Sequence, residues 1–129
     1  MIILTIRTDK PEAEIGLYKD EQQLGYATWE AHRALTKTIH NQIKTLFSQQ
    51  KLTWDDVGGI VVYRGPGSFT GLRIGISCAN AMAYSLGTPI VGTQERWIET
   101  GLERLRAGEN DQTVIPEYGS PVFTTSPKK

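Results

Sequence analysis

The sequence predicts an α/β fold, in which a mixed five-stranded sheet carries packed helices in the order β-β-β-α-β-α-β-α. Three observations lead to this class. Strand-like segments separated by turn residues fill the first thirty residues, a helical pattern then begins, and strand and helix patterns alternate through the rest of the chain. A meander that continues into strand–helix–strand units gives a sheet with antiparallel and parallel pairs.

Three strands are predicted at the start of the chain. Residues 1–6 form an apolar run of strand length, and residues 13–18 and 24–29 alternate loosely between apolar and polar side chains. Turn-forming residues separate the segments, including Lys10-Pro11-Glu12. Such short connections favour an antiparallel meander.

Helices and strands are predicted to alternate after this meander. Apolar side chains recur with helical spacing over residues 31–49. A β-branched run in 59–63 predicts a central strand covered on both faces. A helix over 70–86, a strand over 88–91 and a helix over 94–106 follow. The core stripe of the first helix is predicted at Leu35, Ile39, Ile43 and Leu46.

The length and composition are those of one globular domain. We expect residues 1–109 to form this domain and residues 110–129, which are rich in Thr, Ser and Pro, to form an extended tail. Fourteen basic and fourteen acidic residues give zero formal charge, which argues against a strongly basic surface for nucleic acid. The chain has a single cysteine, Cys78, and neither a secretory pattern nor a long apolar run. These features predict a cytoplasmic protein that does not enter the membrane.

A glycine-rich turn joins the central strand to the second helix. Its backbone freedom suits either a tight structural connection or an anion site at a helix N-terminus, which would accept ATP or ADP. The P-loop lysine is missing after Gly71, and the second gap of the dinucleotide fingerprint is one residue too long. Ser68 is placed to cap the helix. The turn residues are Gly65, Pro66, Gly67, Ser68, Thr70, Gly71 and Arg73.

The second helix has more apolar surface than one sheet can cover. Small or apolar side chains occupy an arc of roughly 220° at 100° per residue, whereas packing on a sheet needs a stripe of about 100° or somewhat more. The first helix carries a row of mostly small side chains. Either the two helices pack on each other, or they form a patch for a partner protein. The partner-binding candidates are Ala34, Thr38, Asn41, Thr45, Gly71, Ile74, Gly75, Cys78 and Met82.

The sequence predicts no catalytic residue and no metal site. His32 and His40 lie eight residues apart, whereas a metal pair on one helix face has a spacing of four. Cys78 is expected to be a small apolar contact residue. Ser68 does not lie in a nucleophile elbow, because the glycine spacing is wrong.

The run from Arg64 to Gly75 resembles the signature of the TsaB (YeaZ) family, and the resemblance continues into Pro89 to Gly92 and Pro116 to Pro121. The resemblance implies an actin-like ATPase (RNase H-like) domain. It also implies a non-catalytic scaffold and activator for TsaD, the enzyme that forms threonylcarbamoyladenosine beside the tRNA anticodon, with TsaE as a further ATPase partner. The two helices would bind TsaD, or a second copy of the chain when alone, and contact with tRNA would be indirect or weak.

The chain departs from the family pattern at two points. Arg7-Thr8-Asp9 stands where the family usually has an Asp-Thr-Ser turn, which weakens the case for a nucleotide cofactor. We also expect these 129 residues to form only one of the two domains that the resemblance implies. Two alternatives therefore stay open: a small nucleotide- or anion-binding domain that uses the Gly65 to Gly71 turn, and direct tRNA contact by Lys128 and Lys129.

Overall fold

A computed structural model describes residues 1–31 and 34–118 of the protein and confirms the predicted fold class. The sheet has the strand order β3-β2-β1-β4-β5, with antiparallel pairing among β1, β2 and β3 and parallel pairing of β4 with β1 and β5. The strands are β1 (Ile2–Arg7), β2 (Glu12–Lys19), β3 (Gln22–Glu30), β4 (Val57–Tyr63) and β5 (Ile90–Thr93). The helices are α1 (Leu35–Gln49), α2 (Phe69–Leu86) and α3 (Trp97–Arg106), with a 3-10 turn at Trp54–Asp56.

The apolar run in β4 forms the centre of the sheet, as predicted. Ile60, Val61 and Val62 have no exposed surface, because α2 covers one face of the strand and α3 covers the other. On the α3 side, Gly101 leaves room for Val61 to pack directly against the helix backbone. On the other side, α1 lies over β2 and β3 and runs beside α2. The sheet thus holds α1 and α2 next to each other on one face.

Two helices begin later than their patterns predict. The prediction that the first helix begins at residue 31 is wrong, because the Ala31 N–H donates to the Pro11 carbonyl (2.9 Å) and so extends the sheet ladder. The prediction that the third helix begins at residue 94 is also wrong. Arg96 has a φ of 48°, in the left-handed region, so regular helix starts only at Trp97.

Residues 110–118, which we call the strap, run along edge strand β5 and end beside Arg64, just after β4. The Asn110 and Asp111 side chains accept hydrogen bonds from the Ile90 and Gly92 N–H groups of edge strand β5 (3.1 and 2.8 Å). Val114 is buried in the core. The predicted boundary between domain and tail at residue 109 stays a prediction.

Among residues 1–31 and 34–118, no helix combines the length and the apolar character needed to cross a bilayer.

Candidate partner-binding site

The glycine-rich turn is packed on both sides by the rest of the chain. Gly65 has a φ of +125°, and a Cβ there would collide with the Glu117 carbonyl of the strap. The Tyr63 hydroxyl donates to the Pro66 carbonyl at 2.7 Å, across a cis Gly65–Pro66 bond. Only glycine fits at position 65, because this position needs both a positive φ and room for the Glu117 carbonyl.

The end of β1 fills the space beneath the same turn. A Cβ at Gly67 would overlap Asp9, and the Ser68 N–H donates to the Asp9 carbonyl at 3.2 Å. Ser68 is the N-cap residue of α2, as predicted, but the expected capping hydrogen bond from its hydroxyl to a described residue is not formed. The turn therefore places α2 against β1 by close backbone contact.

The two helix glycines after the turn face inward. The Thr8 hydroxyl donates to the Gly71 carbonyl at 2.7 Å, and a Cβ at Gly71 would overlap the Thr8 carbonyl. A Cβ at Gly75 would overlap the Thr8 hydroxyl and lie 2.8 Å from its methyl carbon. Their predicted place on the outer face of α2 is therefore wrong, because both glycines let α2 approach the end of β1.

An apolar groove of 520 Å³ runs between α1 and α2 on the outer face. Ile74 and Cys78 were predicted to lie on this surface and do line the groove, and both are half-buried. Burial raises the pKa of the Cys78 thiol, which keeps it protonated at neutral pH. Met82 lies half-buried one helical turn beyond Cys78. The groove is lined by Thr36, Ile39, His40, Thr70, Arg73, Ile74, Ser77 and Cys78.

The small row of α1 lies on the other side of that helix. Thr38 points to the sheet edge, where its hydroxyl accepts a hydrogen bond from the Trp29 Nε1–H (2.8 Å) and donates to the Ala34 carbonyl (2.9 Å). Of the two alternatives, packing of this row on α2 is contradicted at Thr38, which lies against β3. Asn41 and Thr45 are exposed, and their part in partner binding stays a prediction.

Sequence reasoning missed the α1 residues that line the groove. Thr36 and His40 lie four positions apart, so they share one helix face beside the core stripe. Helical spacing could have selected this face as one of two candidates. The choice between them depends on which side α2 occupies, and that is a property of the sheet order.

A second cavity, of 760 Å³, lies at the carboxyl ends of β1, β4 and β5, where open α/β sheets bind ligands. Arg7, Arg96 and Arg104 line it. The Arg7 Nε donates to Asp9 at 2.7 Å, and Arg104 pairs with Asp111. Burial works to lower the pKa of Arg7, but Asp9 outweighs it and the pKa is raised. Two of the three guanidinium groups are therefore already compensated by carboxylates.

The described histidine, His40, and the cysteine, Cys78, both line the α1–α2 groove. His40 stacks on Trp54 with ring centroids 5.2 Å apart, and His32 lies outside the described residues. Residues 1–31 and 34–118 contain no cluster of three or more metal-ligating side chains.

Comparison with known proteins identifies the family. A family model described as "TsaD: tRNA N6-adenosine threonylcarbamoyltransferase" matches residues 19–95, more than half of the chain. The tRNA threonylcarbamoyladenosine biosynthesis protein TsaB of Escherichia coli is 29% identical over 83% of this chain, and that of Buchnera aphidicola is 34% identical over 70%. The chain belongs to the TsaB (YeaZ) family.

The match covers only part of these relatives. The chain spans about half the length of the curated TsaB relatives it matches, 49% and 43% for the two named above. A tRNA N6-adenosine threonylcarbamoyltransferase from Geotalea uraniireducens is 44% identical over 48% of this chain and 18% of its own length. The helices that border the groove lie within the residues that match the TsaD model.

A solved structure supports the fold of this TsaB-family chain. YeaZ from Pseudomonas aeruginosa superposes with a TM-score of 0.68, covering 83% of this chain and 50% of that one at 21% identity. A protein described as similar to peptidase YeaZ gives the same TM-score over 72% of this chain at 22% identity. Both likenesses identify the actin-like, RNase H-like fold.

Proposed function

We propose that this TsaB-family chain is a non-catalytic subunit in tRNA threonylcarbamoyladenosine synthesis, and that it docks a TsaD-type enzyme through the α1–α2 groove. The single observation that carries the proposal is the groove itself. Its wall includes the half-buried Ile74 and Cys78, although α2 already covers the sheet with its opposite face. Apolar surface left over on a helix after core packing is typical of protein interfaces.

The proposed partner follows from the family match. The matched residues 19–95 contain both helices, so a TsaD-type paralogue has its own counterpart of this helix pair. Two similar helix pairs can pack across a pseudo-twofold axis, as identical ones do in symmetric dimers. The same geometry allows a second copy of the chain to occupy the groove when the paralogue is absent. A TsaE-type ATPase and tRNA would then join through the complex, in the cytoplasm, with tRNA contact indirect.

The absence of catalysis is part of the proposal. The pKa of Cys78 is raised by burial, which opposes a nucleophilic role, and the Ser68 hydroxyl has no hydrogen-bonded base among the described residues.

Nucleotide or anion binding at the turn is the second candidate, and we do not favour it. The Asp9 side chain packs against Gly67, its carbonyl takes the Ser68 N–H, and the Glu117 carbonyl covers Gly65. These oxygen atoms lie against the turn at positions where a bound anion would need hydrogen-bond donors. Isothermal titration with ATP or ADP tests this candidate, and saturable millimolar-range binding lost in Gly67→Val would restore it.

The decisive experiment measures binding of the TsaD paralogue from the same organism. We expect a mixed complex by light scattering, and at least a hundredfold weaker binding for Cys78→Arg, because a charge would be buried in the apolar groove. Glu103→Arg, on an exposed position of α3 across the sheet from the groove, is the control and should bind like the wild type. Equal affinity of Cys78→Arg and the wild type would contradict the proposed docking site.

A further inference from the structure

An exposed aromatic cluster stands at the end of the groove. Phe69, the first residue of α2, is 55% exposed. The Tyr118 ring lies against it with centroids 4.6 Å apart, and the Arg73 guanidinium lies 5.3 Å from the Phe69 centroid. Arg73 also lines the groove, so the cluster and the groove form one continuous surface. We call Phe69, Arg73 and Tyr118 the end cluster.

The strap fixes Tyr118 in this cluster. Asn80 of α2 holds Val114 on both sides: its Nδ2 donates to the Val114 carbonyl at 3.0 Å, and its Oδ1 accepts the Val114 N–H at 2.9 Å. Closer to Tyr118, the Glu117 N–H donates to the Arg64 carbonyl at 2.6 Å. The segment that leads to Tyr118 is therefore held by the Asn80 side chain and by the Arg64 backbone just after β4, and the ring contact with Phe69 adds to these bonds.

We propose that the end cluster is the polar-aromatic anchor for the TsaD-type partner, and that Arg73 pairs there with a carboxylate of that partner. The inference rests on the proposed function. Arg73 forms no ion pair within the described part of the chain, although it lies beside an apolar groove. Aromatic residues and arginine are enriched among the few side chains that dominate binding energy, especially where neighbouring apolar contacts exclude water.

The strap is part of the proposed partner site because it carries Tyr118. Asn80 is not one of the residues that line the groove or form the end cluster, yet it holds the strap that carries Tyr118. Asn80 is thus a positioning residue. Removing the Asn80 amide should weaken partner binding only by displacing Tyr118. The losses of affinity caused by Asn80→Ala and Tyr118→Ala should therefore not be additive.

The test measures the dissociation constant for the TsaD paralogue. We expect Phe69→Ala, Arg73→Ala and Tyr118→Ala each to weaken binding about tenfold. Tyr118→Phe keeps the ring and should bind within twofold of the wild type. Ile115→Ala changes an exposed strap residue outside the cluster and is the matched control. The double variant Asn80→Ala/Tyr118→Ala should bind the paralogue no more weakly than whichever single variant binds it less tightly.

The outcomes separate this inference from the proposed function. If Cys78→Arg abolishes binding while all three cluster variants bind within twofold of the wild type, the groove stands and the end cluster is refuted. If the cluster variants instead lose affinity for the tRNA substrate and keep affinity for the paralogue, the cluster is an RNA platform and the inference is wrong. Full additivity of Asn80→Ala and Tyr118→Ala overturns the positioning role of Asn80. Thermal unfolding of every variant confirms that each one is folded.

Discussion

Ile74 and Gly75 are neighbours on α2, but they face opposite environments. Gly75 is buried against Thr8 at the end of β1, whereas Ile74 lines the open groove beside α1. The same twelve-residue run, Arg64 to Gly75, thus contains packing residues on one side of the helix and docking residues on the other. A motif of this kind carries two separable properties, stability and partner affinity.

The largest effect on stability is expected at Gly75. In an open helix Gly→Ala stabilises by about 1 kcal/mol, but here the new methyl group overlaps Thr8, and we expect a net loss of about 2 kcal/mol in the free energy of unfolding. Urea unfolding measures this, with the exposed Ser85→Ala as the control. Because Thr8→Ala removes most of the obstacle, the double variant should lose less than the sum of the two single variants. A stabilised Gly75→Ala protein would refute the inward placement.

A smaller loss is expected from Thr38→Val, which tests the opposite side of α1. The substitution keeps the shape but removes the acceptor of the Trp29 Nε1–H, so we expect a loss of about 1 kcal/mol in unfolding free energy and unchanged affinity for the paralogue. The exposed Thr45→Val is the matched control in the same row. A tenfold loss of affinity without a change in stability would instead place the small row in the interface.

The smallest effect concerns the anchoring of the strap. Burial works to raise the pKa of Asp111, but Arg104 and the Gly92 N–H outweigh it and lower the pKa below its usual value. The carboxylate therefore adds stability above the ordinary aspartate pKa of about 4, and this stability is lost as the pH falls through the lowered folded-state value. Asp111→Asn should be less stable at pH 7 by less than about 1 kcal/mol, because the pair is partly exposed. Urea unfolding at pH 7 and pH 3 should show the difference shrinking in acid; a constant difference would contradict this linkage.

The sheet and helices were predictable because each has a local periodic signal. The apolar run of β4 and the α1 stripe both define buried surface, and their predicted roles are confirmed. The late starts of α1 and α3 were not predictable from periodicity. They depend on a long-range bond from Ala31 to Pro11 and on the left-handed backbone of Arg96.

The site was predictable only in part, for the same physical reason. Excess apolar surface on α2 identified Ile74 and Cys78, but it could not distinguish them from Gly71 and Gly75, since a glycine fits equally well under a strand end or at an interface. The contact of Tyr118 with Phe69 depends on the strap, which is fixed by Asn80, 34 residues before Val114. No local pattern reports such a contact.

The most direct test of the central claim locates the partner on the surface. Hydrogen–deuterium exchange of the chain, alone and mixed with the TsaD paralogue, reports which backbone amides become protected. We predict slower exchange in residues 35–40 and 69–78, on the two walls of the groove, and no change at residues 94–104 beside the carboxyl-edge cavity. Protection confined to residues 94–104, or no protection at all on mixing, would contradict docking through the α1–α2 groove.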